Sequence, residues 1–160
     1  MGLNKKNALA VVILAAGKGT RMGSDLPKVL HEVGGKPMVS HVIQRAVELG
    51  AEKIISIIGY QHELVKETIA NEPTKFTLQL EQLGTGHAVL QCGPQLSEFD
   101  GSVLVLSGDV PLISFSTLQN LLEIHNTSAT KATLLSAIVE DATGYGRVIR
   151  NPQGNLDRIV

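Results

Sequence analysis

The chain has 160 residues, of which 43% are hydrophobic and 18% charged, and its 14 basic and 15 acidic side chains give a formal net charge of −1. This length fits one domain with a substantial core, and the charge balance argues against nonspecific nucleic-acid binding, which needs a basic surface. Only 3% of the residues are aromatic, so the core must be aliphatic, as is typical of parallel sheets covered by helices.

The first predicted element is a buried strand over residues 8–16, a continuous apolar run that ends at a glycine. Two lysines precede the run, as in a secretory signal, but it is far shorter than the roughly 20 apolar residues that span a bilayer. Residues 1–36 hold six basic and two acidic side chains, a local charge of +4. We therefore expect a cytoplasmic protein with no membrane partner and with an anionic ligand near this segment.

Strands and helices are predicted to alternate along the rest of the chain. Apolar periodicity predicts helices from Pro37 to a cap at Gly50, at 64–69, at 86–92 and after a cap at Ser114. The strands predicted between and after them lie at 53–58, 77–80, 102–106 and 132–139. Turn residues at 151–154 predict a terminal hairpin. This alternation predicts an α/β fold with helices packed on a mostly parallel sheet.

The cysteine and histidine content limits the possible chemistry. A single cysteine excludes an internal disulfide, and we interpret Cys92 as a small apolar residue on a buried helix face. The five histidines never stand at metal-ligand spacing, so no zinc site is predicted.

The first predicted strand leads into the segment Gly17-Lys18-Gly19-Thr20-Arg21-Met22. Glycines allow backbone N–H groups to approach phosphate oxygens, although a tight turn explains them equally well. The segment is neither a Walker A motif nor a dinucleotide-binding fingerprint. The guanidinium of Arg21 and the ammonium of Lys28 suit a polyphosphate, whereas Lys18 is as consistent with solvated surface charge as with a phosphate contact.

A second informative segment covers residues 79–88, where a strand gives way to a helix. Gly84 and Gly86 leave backbone amides accessible, and Gln79 and Thr85 offer neutral donors and acceptors suited to a nucleobase edge or sugar hydroxyls. The alternative is a polar helix entry in which Thr85 acts as the cap. We interpret His87 as a packed or capping residue rather than a proton carrier.

The third segment is Ser107-Gly108-Asp109, directly after an apolar strand. Mg²⁺ commonly takes one or two carboxylates together with phosphate oxygens of the substrate, which suits Asp109, although this residue equally suits a turn cap. All three segments follow strands, and ligands of open α/β sheets bind at the carboxyl ends of the strands. The segments are therefore predicted to meet at one crevice that binds a phosphate ester with a divalent cation.

Four motifs in order resemble a known family. They are residues 14–22 with Leu26-Pro27-Lys28, the sequence EQLGTGHA at 81–88, SGDVPL at 107–112 and TGYGR at 143–147. Together they resemble the N-terminal uridyltransferase domain of bacterial bifunctional N-acetylglucosamine-1-phosphate uridyltransferases/glucosamine-1-phosphate acetyltransferases, over essentially the whole chain. The resemblance implies a Rossmann-like three-layer sandwich of the nucleotide-diphospho-sugar transferase type.

The activity implied by this resemblance is that of a UDP-N-acetylglucosamine diphosphorylase. It would convert UTP and N-acetylglucosamine 1-phosphate into UDP-N-acetylglucosamine and pyrophosphate, for peptidoglycan and lipopolysaccharide precursors, with Mg²⁺ as cofactor. The sugar phosphate is already anionic near neutral pH, since its second pKa is about 6. In-line attack on the α-phosphorus therefore needs alignment and charge neutralisation rather than a general base or a covalent intermediate.

The resemblance also assigns roles to individual residues. It implies catalytic roles for Arg21 and Lys28 at the phosphates and for Asp109 at Mg²⁺. The implied substrate-binding residues are Leu14, Ala15, Ala16, Gly17, Lys28, Gln79, Gly84, Thr85, Ser107, Gly108, Asp109 and Gly146, with the uridine held by Ala15, Ala16, Gly17, Gln79 and Gly84 and the amino sugar approached by Thr85 and Gly146. Ser107 stands where some relatives carry tyrosine.

Relatives of this family are longer than 160 residues. Their uridyltransferase domain continues, and a left-handed β-helix acetyltransferase domain builds a homotrimer. We therefore expect residues 1–160 to be the N-terminal part of the uridyltransferase domain, monomeric, with weak nucleotide affinity and little turnover. Two alternatives are a cytidylyltransferase acting on a sugar-alcohol phosphate, which shares the first motif, and a noncatalytic subunit that senses sugar nucleotides.

Overall fold

The computed structural model describes residues 8–19, 22–128 and 130–160. The chain divides into two units, Met1–Gln119 and Asn120–Val160. The division falls within a helix, α5 (Phe115–Thr127), whose N-cap is Ser114, as predicted: the Ser114 Oγ accepts a hydrogen bond from the Thr117 N–H at 3.0 Å.

The first unit is built on a four-stranded parallel sheet. Its strands are β1 (Leu9–Ala15), β4 (Lys53–Ile58), β5 (Lys75–Leu78) and β6 (Ser102–Ser107), in the spatial order β5-β4-β1-β6. Val12 of the central strand β1 pairs with Ile55 on one side and Val105 on the other. The predicted burial of β1 on both faces is confirmed, because Val11, Val12 and Ile13 have no exposed surface.

Helices flank this sheet and supply the rest of the core. The longest helix assigned wholly to the first unit, α1 (Met38–Glu48), buries Val39, Val42, Ile43 and Ala46 and ends before Gly50, whose φ of +73° is readily adopted only by glycine. Shorter helices are α2 (His62–Thr68), α3 (Thr85–Leu90) and α4 (Gly93–Leu96). Ala88 of α3 packs with Val12, Ile55 and Ile57 of the sheet. The α/β fold, a parallel central sheet with flanking helices, is therefore as predicted.

The bounds of one strand differ from the sequence prediction, and one short hairpin was not predicted. The third strand of the sheet lies at Lys75–Leu78 rather than 77–80, although the Gln79 N–H still donates to the Ile58 carbonyl at 2.8 Å. A two-stranded hairpin, β2 (Glu32–Val33) with β3 (Lys36–Pro37), follows a 3₁₀ turn at Lys28–Leu30 and was not predicted. Its turn consists of two glycines with positive φ, a short feature without apolar periodicity.

The predicted strand at residues 132–139 is wrong. This segment has no strand assignment and no pairing partner among the described residues, and Leu135, Ile138 and Val139 are exposed. An apolar run forms a strand only where a neighbour accepts its backbone hydrogen bonds. In the same unit the predicted hairpin is present, formed by β7 (Val148–Arg150) and β8 (Leu156–Ile159).

Nowhere in the described part of the chain is there a helix with the length and apolarity needed to cross a membrane.

Cys92 has no exposed surface, which confirms the predicted burial, but it lies in the turn between α3 and α4 rather than on a helix face, because the predicted helix 86–92 ends at Leu90. Burial raises the pKa of its thiol, and a hydrogen bond with Thr77 opposes this effect more weakly. The thiol pKa is lower in the unfolded chain, so the unfolded chain loses the Cys92 proton first as the pH rises. Deprotonation then favours the unfolded state, and the free energy of unfolding falls as the pH rises above about 8.5.

We expect iodoacetamide at pH 8 to modify Cys92 far more slowly in the folded chain than in the urea-unfolded chain. The thiolate is the nucleophile, and in the folded chain the buried thiol is not accessible to the reagent. Mass spectrometry of samples quenched over time measures both rates, with Cys92→Ala as the unlabelled control. Equal rates in the two states would contradict the burial of this residue.

Candidate active site

The predicted crevice exists, at the carboxyl ends of β1, β5 and β6. It is a cleft of about 650 Å³, within the usual size range for small-molecule sites. The lining comes from the three segments singled out in the sequence and from the base of the sheet: Leu14, Ala16, Gly17, Gly19, Met22, Lys28, Val29, Ile57, Gln79, Gln82, Gly84, Thr85, Ala88, Ser107 and Asp109.

The loop after β1 is held by hydrogen bonds to the Ala16 carbonyl. This oxygen accepts from the Tyr60 N–H at 3.0 Å and from the Gln82 side-chain amide at 2.8 Å. Further along the loop, Gly19 has a φ of +68°, and a Cβ there would lie 2.5 Å from the Lys28 Cβ. Glycine is therefore required at position 19 both for its backbone conformation and for the space that Lys28 occupies.

Lys28 and Asp109 form an ion pair inside the cleft. The Lys28 Nζ lies 2.7 Å from the Asp109 Oδ2, and the two side chains are 40% and 32% exposed. Lys28 comes from the turn that follows the first loop, whereas Asp109 directly follows β6. Gly19, Lys28 and Asp109 are thus contiguous, as a shared phosphate and cation site requires, and both charged groups remain accessible to a ligand.

The segment between β5 and α3 supplies a neutral, polar wall. Gln79 is only 4% exposed, and its Nε2 lies 3.3 Å from the Gly84 carbonyl and 3.1 Å from the His87 Nδ1. Gly84, at φ +98°, is the N-cap of α3, so the alternative in which Thr85 caps this helix is wrong. Thr85 instead lines the cleft, and His87 is a packed residue, as interpreted from the sequence.

Other predicted site residues lie away from the cleft lining. Gly108 packs against β1: its N–H donates to the Leu14 carbonyl at 2.9 Å, and a Cβ at Gly108 would lie 2.9 Å from the same oxygen. Ala15 is buried within β1. The Lys18 ammonium lies over the Tyr60 ring, 5.3 Å from the ring centroid. This cation–π contact gives the ammonium a partner within the protein.

Two predicted residues are not tested by this geometry. Arg21 lies outside the described residues. Gly146 belongs to the second unit, before β7, and its contact with a sugar stays a prediction.

Gly59 and Gln82 connect the cleft loops, and sequence reasoning missed both positions. Gln82 ties the second segment to the first through the Ala16 carbonyl. Gly59 follows β4 at the same sheet edge, and a Cβ there would lie 2.8 Å from the Gln79 carbonyl and 2.9 Å from the Ala16 Cβ. The available signal was a glycine directly after an apolar strand, the same signal that identified Gly17.

We expect Gly59→Ala to destabilise the chain by about 1–3 kcal/mol, because the added methyl group overpacks the junction of two cleft loops. The matched control is Gly93→Ala, where a Cβ meets nothing within 4 Å and a change within about 0.5 kcal/mol is expected. Urea denaturation of both variants measures the difference in the free energy of unfolding. Equal midpoints would show that the loops at this junction accommodate the added methyl group without loss of stability.

The cleft suits a divalent cation only if a ligand completes its coordination. Within the described ranges, no three His, Cys, Asp or Glu side chains form a group that could hold a metal ion. Asp109 is one partly exposed carboxylate beside a lysine. Mg²⁺ is commonly held by one or two carboxylates with phosphate oxygens and water, so Asp109 fits a cation that is shared with a bound phosphate.

Comparison with known proteins agrees with this site. Residues 11–143 match the family model described as the MobA-like NTP transferase domain. The curated protein named "Bifunctional protein GlmU" from Geobacillus thermodenitrificans is 51% identical over 149 residues, which cover 93% of this chain and 32% of that protein. The chain thus spans about a third of the length of the curated relatives it matches.

Two solved structures share the fold. The crystal structure of HddC from Yersinia pseudotuberculosis complexed with GMP-PN has a TM-score of 0.67 at 22% identity and covers 94% of this chain and 68% of that one. A nucleotidyl transferase from Methanothermobacter thermautotroptrophicus has a TM-score of 0.63 at 20% identity, covering 73% and 57%. At these identities the likeness concerns the fold alone.

Proposed function

Because the chain belongs to the MobA-like NTP transferase family, we propose that it transfers a uridylyl group from UTP to N-acetylglucosamine 1-phosphate, releasing pyrophosphate and forming UDP-N-acetylglucosamine. The single observation that carries this proposal is the cleft in which the ion pair of Lys28 and Asp109 adjoins the glycine loop and faces the buried amide of Gln79. The 51% identity over 149 residues to a protein named GlmU supports the choice of substrates.

The charged end of the cleft is proposed to hold the phosphates. Gly17 and Gly19 leave the backbone open to a phosphate, and the Lys28 ammonium offsets its charge. Arg21, two residues after Gly19 in the sequence, is proposed to contact the phosphates as well. Asp109 would hold Mg²⁺, which supplies charge neutralisation for the triphosphate when bound. With a nucleophile that is already anionic, these residues contribute alignment and electrostatics to in-line attack on the α-phosphorus.

The neutral end is proposed to hold the uridine and the amino sugar. Leu14 and Ala16 form a wall that admits a flat base, and Gln79 and Gly84 supply the polar groups that recognise its edge. Thr85 and Ser107, which also line the cleft, are proposed to contact the sugar together with Gly146.

The length of the relatives supports a proposal about organisation. We propose that residues 1–160 correspond to the N-terminal part of a uridyltransferase domain, acting on cytoplasmic metabolites for cell-wall precursor synthesis. The acetyltransferase reaction and a homotrimer are proposed for the relatives' additional length and not for these residues, which are expected to be monomeric.

Isothermal titration calorimetry with UTP, CTP, GTP and dTTP, each with and without Mg²⁺, tests the proposal. We expect weak binding that is strongest for UTP and that Mg²⁺ strengthens, with UDP-N-acetylglucosamine as a further ligand. Preference for CTP would favour the cytidylyltransferase alternative. A pyrophosphate-release assay on the same chain is expected to show little turnover, and robust release would contradict that expectation.

A further inference from the structure

A chain of three polar side chains runs behind the neutral wall of the cleft. Both ring nitrogens of His87 face side-chain amides: the Nδ1 lies 3.1 Å from the Gln79 Nε2, and the Nε2 lies 3.1 Å from the Gln91 Nε2. Gln79 lines the cleft, whereas His87 and Gln91 do not. These two residues therefore act on a ligand only through Gln79.

The orientation of the Gln79 amide follows from its partners. The Gly84 carbonyl can only accept a hydrogen bond, so the amide nitrogen of Gln79, and not its oxygen, must face it. The same nitrogen faces the His87 Nδ1. With both amide hydrogens directed at protein acceptors, the Gln79 oxygen is the atom that remains for a ligand in the cleft.

This arrangement also determines the tautomer of His87. Nδ1 must carry a lone pair to accept from Gln79, so a neutral imidazole carries its proton on Nε2. That proton points at Gln91, whose Nε2 also lies 3.2 Å from the His87 backbone carbonyl. To present its oxygen, the Gln91 amide must reverse and give up that contact. The reversal costs less here than at Gln79, because Gln91 is only partly buried whereas Gln79 is 4% exposed. Reversing the buried Gln79 amide instead would place two acceptors, its oxygen and the Gly84 carbonyl, against each other.

We propose that His87, in the Nε2–H tautomer, is a positioning residue that holds the Gln79 oxygen towards the cleft and thereby selects a base with a ring N–H. Uracil presents an N–H at ring position 3, whereas cytosine presents a lone pair there and is repelled by an acceptor. This inference rests on the proposed function, in which Gln79 contacts the nucleobase. Without the His87 acceptor, the Gly84 carbonyl alone holds the Gln79 amide in this orientation, so the reversed amide, which offers its N–H groups to cytosine, becomes less costly.

Calorimetry with UTP and CTP, both with Mg²⁺, measures this selectivity in variants of the whole 160-residue chain. We expect His87→Ala to lower the ratio of UTP to CTP affinity by about tenfold or more, as for one mispaired polar contact. His87→Asn is expected to retain most of the ratio, because its Oδ1 can take the place of Nδ1 as acceptor. The control is His62→Ala, a partly exposed histidine beside Glu63 outside the cleft lining.

Two outcomes separate this inference from the proposed function. Equal affinity of the unmodified chain for UTP and CTP would contradict both. Preference for UTP that survives His87→Ala in a chain with an unchanged circular dichroism spectrum would contradict the inference alone.

A measurement on the unmodified chain makes the test independent of how the variants fold. Long-range ¹H–¹⁵N correlation spectra of the histidine rings distinguish the protonated from the unprotonated nitrogen. We expect His87 to show an unprotonated Nδ1 at neutral pH, and an Nδ1–H tautomer would overturn the proposal.

Discussion

Asp109→Asn is expected to abolish the effect of Mg²⁺ on UTP binding: the ratio of Kd values without and with Mg²⁺ falls to near one. The substitution keeps the size of the side chain and a group that can accept from Lys28, but it removes the carboxylate that would hold the cation. Asp109 is the one acidic residue that lines the cleft in the described part of the chain, so no second carboxylate there takes over. Calorimetric titration of UTP at several Mg²⁺ concentrations measures the effect.

Loss of fold is not expected to explain this result. The ion pair with Lys28 is partly exposed at both side chains, and such pairs contribute about 0.2–1 kcal/mol. The matched control is Asp100→Asn, an exposed residue at the opposite end of the same strand, β6, which is expected to retain the Mg²⁺ effect. An Asp109→Asn chain that still responds to Mg²⁺ would support the noncatalytic sensor, or a cation site elsewhere.

Lys28→Met is expected to separate cation binding from phosphate binding. In the ligand-free chain the Lys28 ammonium lies 2.7 Å from Asp109 and competes with a cation for the same oxygen. Removing it should raise the affinity for Mn²⁺ alone, while lowering metal-free UTP affinity by about tenfold or more, since a charge-assisted hydrogen bond to phosphate is lost. Electron paramagnetic resonance of free Mn²⁺ measures the first quantity and calorimetry the second.

The two effects have opposite signs, so general damage to the chain cannot produce both. Lys66→Met, at an exposed position of α2, is the matched control and should change neither quantity. If Mn²⁺ affinity fell together with UTP affinity in Lys28→Met, the competition between lysine and cation for Asp109 would be refuted.

Local sequence patterns were sufficient to predict most helices and strands and the three segments that line the cleft. The continuous apolar run at 8–16 predicted a strand buried on both faces, and β1 is buried because it lies between β4 and β6 and is contacted by α1 and α3. The convergence of Gly17, Gln79 and Asp109 followed from one rule, that parallel strands end at one edge. Such features depend on residues near each other in sequence, or on a general property of the fold.

Contacts between distant residues were beyond the reach of these patterns. The segment 132–139 has the apolar composition of a strand but no partner among the described residues, and the sequence of one segment does not show what it pairs with. Gly108 belongs to the recognised motif, yet its close contact is with the β1 backbone rather than with the cleft. The family resemblance assigned it to the site without distinguishing packing from binding.

The residue types and order of the chain determined the α/β class, the buried central strand and the three loops that supply the cleft, because hydrophobic periodicity and glycine conformation act over a few residues. The folded chain alone determined that Lys28 pairs with Asp109, that Gly59 and Gln82 join the loops, and that His87 contacts Gln79. Those contacts depend on distances of a few ångströms between residues remote in sequence, and only packing of the sheet and its loops sets such distances.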